Sequence, residues 1–187
     1  MRSWFSDVLD EDENILGSYK PDKLKFFFMA ILTYCVIGLI IVLFATLAVI
    51  FPTDGFKPEQ SILYKFIPTA VFAAGLIINC LLDVIWYKNV SYCYTNKRII
   101  IRCGVFGVYY RCLALDTIGV IDVSITLFDK MLRRGTGTIR FGSIANPTVP
   151  NTGMYAFMHV QSPYDVYRCI KDAIDKAKES RTNAKSN

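Results

Sequence analysis

Two long apolar blocks interrupt an otherwise mixed pattern. Phe26 to Phe51 contains no charged residue, and Phe66 to Tyr87 contains only Asp83. At 1.5 Å per residue they predict helices of about 39 Å and about 33 Å, enough to cross a hydrocarbon core of about 30 Å. Between them, Pro52, Asp54, Gly55 and Pro58 break both helices, so residues 52–65 read as a loop joining an antiparallel hairpin. Small residues at Thr69, Ala70, Ala73 and Ala74 let a neighbouring helix approach the second one. The first block is too long, and begins too late, for a signal peptide.

From Val90 onward the pattern changes to short β-rich runs separated by turn residues. Ser91–Thr95 and Ile99–Cys103 flank Asn96-Lys97, an Asn-led tight turn that predicts a hairpin. Gly104 to Gly107 forms the next turn. Val108–Leu115, Ile118–Leu127, a strand entered through Gly135-Thr136-Gly137, and Met154–Val160 follow as further strands. Ser162-Pro163 then offers a helix start. Val166, Tyr167, Ile170, Ala173, Ile174 and Ala177 recur at intervals of three and four, which predicts an amphipathic helix whose apolar face covers a sheet. The polar residues 181–187 read as a flexible tail. Strands closed by one helix suggest a module that folds without the spans, from Asn89 to the end.

Charge orients this arrangement. Residues 1 to 87 carry six Lys/Arg against nine Asp/Glu, net −3, and residues 88 to 187 carry fifteen against seven, net +8. Lys20, Lys23 and Lys25 precede the first block and Lys88, Lys97, Arg98 and Arg102 follow the second, whereas the loop holds only Lys57 and Lys65. By the positive-inside rule both termini face the cytoplasm. A basic module beside a span is drawn to anionic headgroups. Nucleic acid is not indicated, since helix-turn-helix, zinc-finger and basic-aromatic patterns are all missing.

The chemistry-bearing residues are sparse. Six cysteines form no CxxC pair and read as reduced thiols. His159 is the only histidine, and Asp116, Asp122 and Asp129 are isolated, so neither a metal site nor paired acid/base carboxylates can be assembled. No cofactor or enzyme activity is expected. Asp83 reads as a carboxylate near the end of its span, within reach of water or Lys88. The densest basic group, Lys130, Arg133 and Arg134 in a loop with Phe128, Met131 and Leu132, is the candidate contact for lipid headgroups or a partner. Arg140 on the next strand, and Lys97 with Arg98 in the hairpin turn, extend that candidate set.

Several segments resemble the bacterial pleckstrin-homology (PH) domain membrane proteins, in which transmembrane hairpins precede a bacterial PH domain. Tyr94-Thr95-Asn96-Lys97-Arg98-Ile99-Ile100 followed by Gly104 is similar to that family's opening hairpin. Leu115–Val120 and Gly135-Thr136-Gly137-Thr138-Ile139 are similar to its later segments, and Glu13-Asn14-Ile15-Leu16 with Lys20-Pro21 to its lead-in. The resemblance implies a membrane α-helical hairpin plus a cytosolic α+β PH-like module, about seven antiparallel strands in two near-orthogonal sheets capped by the C-terminal helix. The boundaries are then 1–25 for a cytosolic segment, 26–51 and 66–87 for the spans, 88–180 for the module and 181–187 for the tail. The expected role is an adaptor or assembly factor in the cytoplasmic membrane that binds membrane lipids or a protein partner, with homo-oligomerisation open. The alternative is a small transport or channel subunit.

Overall fold

A computed structural model describes residues 4–6, 8–50, 62–144 and 155–186. Both apolar blocks are helical: α1 runs Lys23–Ile50 and α2 runs Ile62–Asn89. Within them, Lys23–Phe44 and Ala70–Asn89 are long and apolar enough to cross a membrane. Most of the expected loop lies outside the described residues, and its last part, from Ile62, is already helix. Asp83 is buried, its Oδ2 has no hydrogen-bond partner, and among the described residues no ion pair joins it to Lys88, one of the two environments expected for it.

Seven strands are described. Ile15–Tyr19 (β1), Ser91–Thr95 (β2), Arg98–Cys103 (β3) and Tyr109–Ala114 (β4) form one antiparallel sheet in that order. Ile118–Ser124 (β5), Thr136–Ser143 (β6) and Ala156–Gln161 (β7) form the other. Between β5 and β6 lies a short helix, Leu127–Met131 (α3), and after β7 comes Pro163–Ser186 (α4). Sheets of four and three strands followed by a C-terminal helix are the architecture that the resemblance implies.

Two domain boundaries need correction. The seventh strand, β1, precedes the first helix, and the chain divides into Phe26–Ile85 and a unit made of Met1–Lys25 with Trp86–Asn187. Residues 1–25 are therefore part of the module and not a segment leading to it. They add four Lys/Arg and six Asp/Glu, which lowers the unit's charge from +8 to +6. The supposed tail from 181 is helical to Ser186, and Arg181 Nη1 donates to Asp116 Oδ2 at 2.6 Å.

Local chemistry explains the elements. Gly104, at φ +142°, closes the β3–β4 turn where an added Cβ would lie 1.8 Å from the Gly107 carbonyl oxygen. Asn96 leads the β2–β3 turn without a positive φ. Its side chain bonds the lead-in instead: Oδ1 accepts from the Asn14 amide at 3.1 Å and Nδ2 donates to the Asp12 carbonyl at 3.3 Å. The segment read as a basic loop is helical because Thr126 and Asp129 form a reciprocal capping box.

The main core lies between sheets and helix. Tyr92 stacks on Phe157 at 4.9 Å, Phe141 meets the same ring edge-on at 5.0 Å, and Val166, Ile170, Ala173 and Ile174 of α4 complete the cluster, on the face that the periodicity marked. A second cluster covers the other face of the first sheet, where Phe5 packs on Cys93 and Ile100. Both faces of β2 are thus covered, which is why all five of its residues are buried.

Candidate functional site

Polar residues that the sequence leaves scattered converge near the start of α1. Asp22 caps that helix, its Oδ1 accepting from the Lys25 amide at 3.0 Å. Its Oδ2 accepts from Gln161 Nε2 at 2.9 Å and from Arg134 Nε at 3.2 Å, which ties the helix start to β7 and to the turn before β6. The Asp22 amide donates to the His159 carbonyl at 2.6 Å. Lys25, buried in the first turn of α1, forms an ion pair with buried Asp129 of α3 and donates to Thr126 Oγ1 at 3.2 Å. Asp129 also accepts from Thr136 Oγ1 at 2.6 Å, so α3 is held to both α1 and β6.

A second network joins the lead-in to the β2–β3 turn. Arg98 grips Glu13 through Nε at 3.0 Å and Nη2 at 2.7 Å, and Thr95 Oγ1 donates to the same carboxylate at 2.6 Å. Thr95 Oγ1 also accepts from the amides of Lys97 and Arg98, which shapes the turn. The two motifs of the resemblance, one around Glu13 and one around Thr95, are therefore a single contact.

The predicted contact residues separate. Lys130 and Arg133 are exposed on or just after α3, and Arg134 beside them is paired with Asp22. Leu127 and Met131, one helical turn apart, expose apolar side chains at 82% and 65%. Arg133 takes φ +49° and Gly135 φ +61°, so the chain turns sharply away from α3 into β6. An open cleft of ≈ 550 Å³ lined by Lys130, Arg133, Tyr164 and Asp165 adjoins them. Arg140 is paired with Asp122 at 3.2 Å in mid-sheet. Arg98 and Lys97 lie at the opposite end of the first sheet from Ser91 and Arg102, about 15 Å away at strand rise, and Arg98 is committed to Glu13. The structure thus groups Lys130, Arg133 and Arg134, and sets Lys97, Arg98 and Arg140 apart.

Sequence reading missed Asp22, Lys25 and Asp129. The Thr126-x-x-Asp129 spacing was a capping signal for the last of these, while the Lys25 partnership spans over a hundred residues. His159 sits in β7 at φ +55°, with Nδ1 buried and unpartnered; burial, then the nearby Lys25 charge, lowers its pKa.

These networks make the module sensitive to acid. Burial raises the Asp129 pKa, but hydrogen bonds from Lys25, Thr126 and Thr136 outweigh it and hold the carboxyl at about 2. Asp22 and Glu13 are lowered in the same way, burial being outweighed by the Lys25 amide, Gln161 and Arg134 for the one and chiefly by Arg98 for the other. Because all three fall below their unfolded values, the stability they contribute is complete above about pH 5 and is lost as pH falls through the unfolded and then the folded values. We expect near-ultraviolet circular dichroism in detergent to report unfolding on the acid side. Asp129→Asn should shallow that slope while lowering stability at pH 7, and an unchanged slope would contradict the assignment.

A family model described as Bacterial PH domain matches residues 24–174. Neither a curated protein nor a solved structure matches the chain.

Proposed function

Because the chain belongs to the bacterial PH domain family, we propose that it is an integral membrane protein whose PH-like module is held against the anionic cytoplasmic leaflet, where α3 binds lipid headgroups in an adaptor role without catalysis. The observation that carries this reading is the buried Lys25–Asp129 pair, which fastens α3 to the first turn of a helix apolar enough to span. Exposed Leu127 and Met131 are suited to dip among acyl chains while Lys130 and Arg133 meet phosphates. The pairing of β1 with β2 supports a hairpin, since strands joined by hydrogen bonds lie on one side of any membrane that α1 and α2 cross.

The test uses the full chain in nanodiscs. Hydrogen exchange over residues 126–134 should slow in discs containing anionic lipid relative to phosphatidylcholine alone, and the difference should vanish at high salt and in Lys130→Ser/Arg133→Ser. Equal exchange in both lipids would move the binding role to a protein partner. Orientation is tested on cells: Ser61→Cys in a cysteine-free chain should react with an impermeant thiol reagent and Ser180→Cys should not. A second reading, a transport subunit, is favoured by the buried unpartnered Asp83 Oδ2. It requires Asp83→Asn to abolish an ion flux in liposomes.

A further inference from the structure

One cross-strand row on the outer face of the first sheet gathers polar side chains, of which Ser91 and Arg102 have buried polar atoms without hydrogen-bond partners. Arg102 on β3 pairs in register with Ser91 on β2 and Tyr110 on β4. On β1 the register ends at Tyr19 opposite Tyr92, and one residue further it sets Lys20 opposite Ser91. By strand alternation these residues share the face of Cys93, Ile100 and Cys112, which the segment around Phe5 covers. Trp4 roofs the row. Its carbonyl accepts from the Tyr110 hydroxyl at 2.9 Å, and its ring centroid lies 4.3 Å from Lys20 Nζ and 4.4 Å from Arg102 Cζ.

The row is short of acceptors. Ser91 is 0% exposed and its Oγ has no partner, and Arg102 Nε and Nη1 are buried without one. Among the described residues, no carboxylate forms an ion pair with Lys20 or Arg102. The indole face attracts both cations but offers no lone pair to a guanidinium edge. Two cations held against one indole ring and unmet buried donors are a costly arrangement until an anion joins them. Burial and the neighbouring Arg102 accordingly lower the Lys20 pKa.

We propose that Lys20, Ser91 and Arg102 form a phosphate-binding site roofed by Trp4. Three donors, Lys20 from just past the end of β1, Ser91 from β2 and Arg102 from β3, suit a tetrahedral oxyanion, which presents an oxygen to each, better than a planar carboxylate with two. The guanidinium edge gives two parallel N–H bonds, the ammonium a point charge and the hydroxyl a third direction. The phosphate is either free in solution or carried on a lipid. A lipid source is open to it because Lys20 lies just before α1 and Ser91 just after α2. The site uses none of the α3 residues and does not depend on their role.

The experiment reads Trp4 in the full chain with Trp86→Phe, which leaves it the sole tryptophan. In maltoside micelles, inorganic phosphate at constant ionic strength should change its emission saturably where chloride does not, which identifies a soluble source. A response confined to nanodiscs in which phosphatidic acid is added to phosphatidylcholine identifies a headgroup. Arg102→Gln should weaken the response on the order of tenfold and Arg102→Lys by less. Lys20→Gln provides the same reading if Arg102→Gln does not fold, and Lys130→Ser/Arg133→Ser should leave the titration unmoved. No saturable response in either medium, a response retained by the folded Arg102 and Lys20 variants, or a loss in the α3 variant would overturn the proposal.

Discussion

A fragment from Asn89 to Asn187 is expected not to fold, although it contains six strands and the C-terminal helix. Without residues 1–25 it lacks β1, and β2 becomes an open edge. Three charged groups also lose their partners. Asp129 loses Lys25, Arg98 loses Glu13 and Arg134 loses Asp22, and breaking a buried pair by removing one member costs about 3–5 kcal/mol. Arg98 and Arg134 are partly exposed, so their shares are smaller. Added to the loss of Phe5 from over Cys93 and Ile100, the deficit approaches the whole stability of an ordinary domain, about 5–15 kcal/mol. Joining Met1–Lys25 to Trp86–Asn187 through a short Gly/Ser linker should restore a monodisperse, β-rich circular dichroism spectrum. A cooperatively unfolding Asn89–Asn187 fragment would show that β1 and its ion pairs are dispensable.

Lys25→Met is expected to be among the most damaging single substitutions in the module. It leaves the Asp129 carboxylate buried with only neutral donors, at a cost of about 3–5 kcal/mol, which lowers the melting temperature by about 10 °C or more. Asp129→Asn alone should also destabilise, because it strands a buried ammonium. The double variant, with neither charge, should recover much of the loss. A double-mutant cycle on melting temperature in detergent, followed by Trp4 emission in a Trp86→Phe background, measures the coupling. Additive losses would mean that the two charges do not sense one another.

What could be read from the sequence was what is local. The apolar blocks, the β2–β3 hairpin and the buried face of α4 each carry their period within a few turns or strands, and each was placed within a few residues. The lead-in strand was not, since Ile15–Tyr19 has no alternation of its own and its partner lies on the far side of both helices. The same distance hid the sites. Arg98 and Arg134 read as free basic residues because Glu13 and Asp22 stand far off in sequence, at separations of 85 and 112. Five residues are too few for a helical period to declare itself, so α3 read as a loop, although Thr126 and Asp129 were its cap. Asn96 is legible as a turn residue, but its side-chain bonds to Asp12 and Asn14 have no local signature.

The separation of β1 from β2 also sets an order on biosynthesis. As the chain emerges, β1 is made first and has nothing to pair with until the whole of α1, α2 and the segment between them has been synthesised. The first sheet therefore closes only after both helices have been synthesised, a long-range closure of the kind that slows folding. Under the membrane topology proposed above, a chain that stalled after inserting one helix would strand β1 and β2 in different compartments and leave Tyr92, Ile99 and Phe157 without a finished core, so completion of the module would follow insertion of both helices.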